Sequence, residues 1–134
     1  LHLSIRRQRQ MCIRDRVRAL ANVINNGLQA SPSGAAVVIT AEHSGAGLEV
    51  KVRDEGAGMS IEVARRVGEP FFTTKPPGEG MGLGMYLTRA VLARLGGSLD
   101  FISELGGGTT VALRLPKGAI GAIPSPHSTR ERPA

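Results

Sequence analysis

The sequence predicts an α+β fold, a two-layer sandwich with helices on one face of a mainly antiparallel sheet. Three observations carry this. Two stretches repeat apolar residues at helical spacing, four short runs read as strands, and glycine-rich turns join those strands in pairs as hairpins. At 134 residues and 41% apolar, the chain suits one domain with a core. Aromatics are 3% with no Trp, so that core is built from Val, Leu, Ile and Ala.

The first helix is expected over 17–30. Val17, Leu20, Ala21, Ile24 and Leu28 form its apolar stripe, and Asn22, Asn26 and Gln29 line up on another side. Ser31-Pro32-Ser33-Gly34 ends it. Strands over 36–42 and 48–54 come next, joined by Ser44-Gly45-Ala46-Gly47. A loop-rich stretch from 55 to 82 holds one short helical piece around 61–67. The second helix is expected over 84–95, with Leu87, Ala90, Val91 and Leu95 buried. A hairpin of 98–103, Gly106-Gly107-Gly108 and 109–115 closes the domain.

The domain is therefore expected over 17–117. Residues 118–134, rich in Pro, Ser and Gly, read as a disordered tail. Residues 1–16 read as a non-native or disordered leader. They share no pattern with residues 17–117 and resemble a translated sequencing-library adapter, above all Met11-Cys12-Ile13-Arg14-Asp15-Arg16. A genuine basic arm is the rival reading.

The net charge of +6 sits mostly at the start, where residues 1–18 hold six Arg and one Asp. The remainder holds 11 basic and 10 acidic side chains, so no nucleic-acid groove is expected. No apolar run approaches the ~20 residues of a membrane helix. The single Cys12 cannot form an internal disulfide.

Alternation along 48–54 puts Leu48, Val50 and Val52 on the core face, and Asp54 shares their parity. An inward carboxylate needs partners, because leaving it unpaired costs several kcal/mol. Thr109 likewise shares parity with Val111, Leu113 and Leu115. Capping the loop 55–58 is the other role open to Asp54. Asp54-Glu55-Gly56-Ala57-Gly58 lets backbone approach something flat. The run Gly78-Glu79-Gly80-Met81-Gly82-Leu83-Gly84 opens a helix, where exposed N–H groups and the helix N-terminus suit phosphate. It comes after no strand, so it is no dinucleotide fingerprint. Asn22, Asn25 and Asn26 are poor helix formers whose amide oxygens suit a hard cation such as Mg²⁺. A merely solvated amide face is the alternative.

In this order the pieces resemble the ATP-binding catalytic domain of bacterial sensor histidine kinases, over about residues 18–117. The run Ala21-Asn22-Val23-Ile24-Asn25-Asn26-Gly27-Leu28-Gln29-Ala30-Ser31-Pro32 is similar to the family's N box, and Asp54–Gly58 to its first glycine box. Pro70-Phe71-Phe72-Thr73-Thr74-Lys75 resembles the F box, Gly80-Met81-Gly82-Leu83-Gly84 the second glycine box, and Gly108-Thr109 the last. The stretch 70–84 most resembles the redox-responsive RegB/PrrB-type sensor kinases.

The resemblance implies the Bergerat ATP-binding fold of the GHKL group, N-terminally truncated here, since the strand ahead of the N box is replaced by the leader. An unpaired sheet edge is the expected result. It implies ATP and Mg²⁺ as cofactors. Asp54 would accept the adenine amino group, with Gly56, Gly58 and Thr109 completing the base pocket. Asn26 would ligate Mg²⁺, with Asn22 one turn earlier. Gly80, Gly82, Leu83 and Gly84 would meet the phosphates, and the lid residues Phe72, Thr73, Thr74 and Lys75 would close over them. Lys75 as a solvated loop charge stays open. Gln29 stands where many relatives carry a cation, so it offers a hydrogen bond without charge.

The implied activity is transfer of the ATP γ-phosphate to a His on a separate dimerisation domain, with a response regulator downstream. The parent would be a cytoplasmic homodimer, whether or not it is anchored in the inner membrane. His2, His43 and His127 lie in no acceptor motif. The alternatives are a GHKL-type ATPase like gyrase, Hsp90 or mismatch-repair ATPases, and an anti-sigma-factor-like serine kinase. Those ATPases carry a Glu as base where Asn22 stands, and an amide cannot take a proton from water at neutral pH. The Phe71–Lys75 lid argues against the serine kinase.

Overall fold

The computed structural model describes residues 2–75 and 82–120, the side chains of 2–12 and 120 excepted. Helix α1 runs from His2 to Ala30. It stops where the Ser31 backbone N–H and hydroxyl both turn to the Gly27 carbonyl, at 3.1 and 2.8 Å, with Pro32 next in the chain. Strands β1 (Val38–Ser44) and β2 (Gly47–Asp54) make the first hairpin, and β3 (Ser98–Glu104) and β4 (Gly108–Pro116) the second. Between them lie α2 (Ile61–Arg66) and α3 (Gly84–Arg94), and α4 (Lys117–Ile120) is one closing turn.

The sheet has the order β1-β2-β4-β3 and is antiparallel throughout. Its period of two puts Val52, Val111, Leu99 and Leu113 on one face, where they pack with Val23 of α1 and Leu92 of α3 as the core. Leu20, Ile24, Val37, Val50, Met85, Phe101 and Leu115 pack around that cluster. β1 is an edge strand with all seven residues exposed. No described helix is long and apolar enough to cross a membrane.

The helix faces differ from the expected stripes. In α1 the buried line is Ala19, Val23 and Gly27, while Val17 and Leu28 are 62% and 55% exposed. Helix α1 contacts both β2 and α3, and the face turned to these two neighbours is the one that is buried. In α3 the buried positions are Thr88 and Leu92, one turn apart, and Leu87 is 52% exposed.

Helices α1 and α4 extend past the edges expected for the domain. Residues 2–16, expected as a non-native or disordered leader, continue α1, and Asp15 Oδ2 accepts from Arg94 Nη2 of α3 at 2.7 Å. Residues 118–120, expected in the disordered tail, belong to α4, which contacts β2 and β4. The rest of that tail lies outside the described residues.

Candidate functional site

At one end of the sheet, β2, β4 and β3 hold three polar residues in one row. Thr109 is paired with Asp54 on one side and Ser103 on the other. Each continues the inward parity of its strand, so the sheet's own alternation delivers them to the interior. Asp54 is 6% exposed. Its Oδ1 accepts from the backbone N–H of Gly56 at 2.9 Å and of Thr109 at 3.2 Å, which offsets the cost of burying the carboxylate.

Above this row opens a cleft of about 500 Å³. Val52, Val111, Phe101 and Met85 give it apolar walls, and α1 contributes Val23, Asn26, Gly27 and Ala30. The loop after β2 enters it through Gly58. At φ +71° that residue holds a conformation L side chains rarely adopt, and a Cβ there would collide with the Glu104 carbonyl. Met59 and Val63 of the next turn complete that side.

The lid stem crosses the other side. The Phe72 ring lies under the Arg66 guanidinium, 4.3 Å from its centroid, and the Phe72 N–H donates to the Glu69 carbonyl at 3.3 Å. Phe71 has φ +65° and is 71% exposed. Lys75 folds back onto α1, where its Nζ donates to Asn26 Oδ1 at 3.3 Å and to Gln29 Oε1 at 2.5 Å. Gly82 lies against this stem; a Cβ on it would come within 2.5 Å of the Phe71 carbonyl carbon. Helix α3 then starts at Gly84, and its N-cap, Leu83, gives no side-chain cap. Among the described residues no side chain caps its first-turn N–H groups, which lie beside a lining that includes Gly82, Leu83 and Gly84.

Of the expected site residues, the cleft wall includes Asn26, Asp54, Gly58, Phe72, Thr73, Thr74, Lys75, Gly82, Leu83, Gly84 and Thr109. Gly56 stands behind the wall and acts through its N–H on Asp54. Among the described residues, Gln29 reaches the site through Lys75. Asn22 is turned away, and its Nδ2 donates to Thr88 Oγ1 at 3.5 Å, which in turn donates to the Gly84 carbonyl at 2.9 Å. Gly80 lies outside the described residues. Two polar residues join the site without having been expected there. Thr88 is fully buried with no signal beyond its spacing from Gly84. Ser103 shares the parity of Leu99 and Phe101, the same oddity that marks Thr109.

Residues 13–119 match the model of the family described as histidine kinase-, DNA gyrase B- and HSP90-like ATPase. The chain is 36% identical over 111 residues to the histidine protein kinase DivJ of Caulobacter vibrioides, covering 78% of this chain and 19% of that protein. It is 37% identical over 95 residues to sporulation kinase C of Bacillus subtilis, covering 71% of this chain and 22% of that protein. The chain thus spans about a fifth of these curated relatives. The structure resembles the mycobacterial sensor histidine kinase MprB with a TM-score of 0.66 at 29% identity, over 74% of this chain and 68% of that one. It resembles full-length ShkA, solved in complex with AMPPNP, with a TM-score of 0.67 at 27% identity, over 76% of this chain and 21% of that one. Fold, cleft and relatives agree: the chain belongs to the histidine kinase-, DNA gyrase B- and HSP90-like ATPase family, as a homologue of the ATP-binding catalytic domains of sensor histidine kinases.

Proposed function

We propose that this chain binds Mg-ATP in the cleft and hands the γ-phosphate to a histidine presented by a separate dimerisation domain of its parent kinase, from which a response regulator receives it. The observation that carries the reading is Asp54. Both of its hydrogen bonds from backbone fall on Oδ1, and no described bond uses Oδ2. A buried carboxylate oxygen at the floor of an apolar cleft suits an amino group on a flat base. The uncapped start of α3 provides the opposite chemistry, suited to phosphate.

The amide oxygens of Asn26 and Gln29 both converge on the Lys75 ammonium, so this corner already holds a cation. Asn26 Oδ1 is the hard oxygen that fits Mg²⁺. When bound, Mg²⁺ neutralises phosphate charge. Lys75 adds a positive charge from the lid, and the backbone of Gly82–Gly84 donates to phosphate oxygens. Gly80 belongs to the same loop in this reading. Asn22, through Thr88, steadies the first turn of α3. No residue in this set is a general base, which matches transfer by positioning and charge neutralisation.

The lid sequence supports a place near the redox-responsive RegB/PrrB-type kinases. We place the parent in the cytoplasm as a homodimer. Calorimetric titration with ATP and ADP, with and without Mg²⁺, tests the nucleotide reading. One saturable site is expected, tighter for ATP with Mg²⁺, and the absence of any binding overturns the reading.

A further inference from the structure

The Ser103 hydroxyl has three close partners and one proton. The Met59 backbone N–H donates to Ser103 Oγ at 2.8 Å. The Gly108 carbonyl, an acceptor only, lies 3.1 Å from the same oxygen. The Thr109 hydroxyl lies 2.8 Å from it. Only one arrangement satisfies all three. Ser103 spends its proton on the Gly108 carbonyl, and its two lone pairs take the Met59 N–H and the Thr109 O–H. The Thr109 proton is then committed away from the cleft that Thr109 lines, and only its lone pairs remain for a ligand.

We infer that Ser103 is a specificity-determining positioning residue: by holding the proton of Thr109, it makes the base end of the cleft an acceptor-only edge that admits a 6-amino purine and repels a 6-oxo purine. The inference rests on the nucleotide reading of the cleft. Asp54 is paired with Thr109 across β2 and β4, and its carboxylate is itself acceptor-only when ionised. An amino group at the purine 6-position meets two side-chain acceptors there, whereas a 6-oxo group in the same place brings a third lone-pair oxygen against them. Ser103 does not line the cleft; it touches the lining through the Thr109 hydroxyl and the Met59 N–H, and of these the Thr109 hydroxyl faces the base.

The test is titration of the chain with Mg-ATP and Mg-ITP, two triphosphates that differ in the purine 6-substituent and in the proton that ITP carries on N1. The wild-type chain is expected to prefer ATP. Ser103→Ala frees the Thr109 rotor to donate to a 6-oxo group, and the ATP/ITP preference should fall by roughly threefold to tenfold, the worth of one hydrogen bond. Ser103→Thr keeps the hydroxyl and should keep the preference. In a Thr109→Val background, Ser103→Ala should leave the ratio where it was. Equal weakening of both nucleotides by Ser103→Ala, with the ratio intact, would make Ser103 a mere support of the Met59 loop and overturn the inference. A wild-type chain that binds ATP and ITP alike would also overturn it, while leaving the nucleotide reading standing. A chain that binds neither overturns both.

Discussion

Lys75 Nζ donates to Asn26 Oδ1 at 3.3 Å, joining the lid to helix α1 across 49 positions of sequence. The same ammonium also takes Gln29 Oε1, so two of its three protons are committed to α1. The lid stem is thereby tied over the cleft by a contact that charges in a ligand would compete for.

Lys75→Met removes that tie and keeps most of the side chain's length. In the ligand-free chain, amide hydrogen exchange over Phe72–Lys75 should speed up in the variant, and saturating Mg-ATP should slow it in the wild-type protein. Identical exchange in all three samples would show that the contact does not hold the lid.

Asp54→Asn leaves Oδ1 to accept from Gly56 and Thr109 but replaces the second oxygen with a donor. An amino group on the ligand then faces N–H rather than a lone pair, and ATP affinity should fall by roughly 1–3 kcal/mol. Calorimetry measures it. Unchanged affinity would remove the carboxylate from base recognition.

Phosphoryl transfer should need a second molecule. With radiolabelled ATP the chain alone should neither label itself nor hydrolyse ATP appreciably. Mixed with a separate dimerisation domain carrying the acceptor His, it should label that domain slowly and in proportion to concentration, since the effective concentration of a tethered pair is absent. Asn26→Ala should abolish the labelling by removing the cation's oxygen ligand. Replacing His2, His43 and His127 together should change nothing; loss of an acid-labile label in that triple variant would place the acceptor inside this chain.

The outer face of the sheet predicts a modest pH effect. Glu49 is bound by Lys51 at 3.1 Å and by Arg114 at 2.6 Å, and Arg114 also pairs with Asp100. The Lys51 and Arg114 hydrogen bonds hold the Glu49 carboxyl below the ordinary carboxylate range. A carboxyl depressed in the folded state stabilises above its unfolded value, and that contribution is lost as pH falls through its folded value. Urea unfolding of Glu49→Gln should therefore show a small deficit at neutral pH that closes in acid. It should also shrink at high salt, because these groups are solvent-accessible. A deficit that persists in strong acid would assign it to packing rather than charge.

Local pattern was enough for the strands, the order of the glycine-rich boxes and the inward placing of Asp54 and Thr109, because a period of two and the spacing of glycines are properties of consecutive residues. The same locality explains why the two helix stripes came out differently in the fold. Hydrophobicity ranks Val17, Leu28 and Leu87 above Ala19, Gly27 and Thr88, yet the face that is buried depends on which neighbours a helix touches. Here α1 touches β2 and α3 together, and the face between them carries Ala19, Val23 and Gly27. Long-range meetings were out of reach for the same reason. Lys75 with Asn26, Asn22 with Thr88, and Met59 with Ser103 join residues 49, 66 and 44 positions apart. The sequence determined the chemistry available to the cleft; only the packing of α1, the lid and the sheet decided which donor faces which acceptor, because hydrogen-bond geometry is set by distances between elements and not by spacing along them.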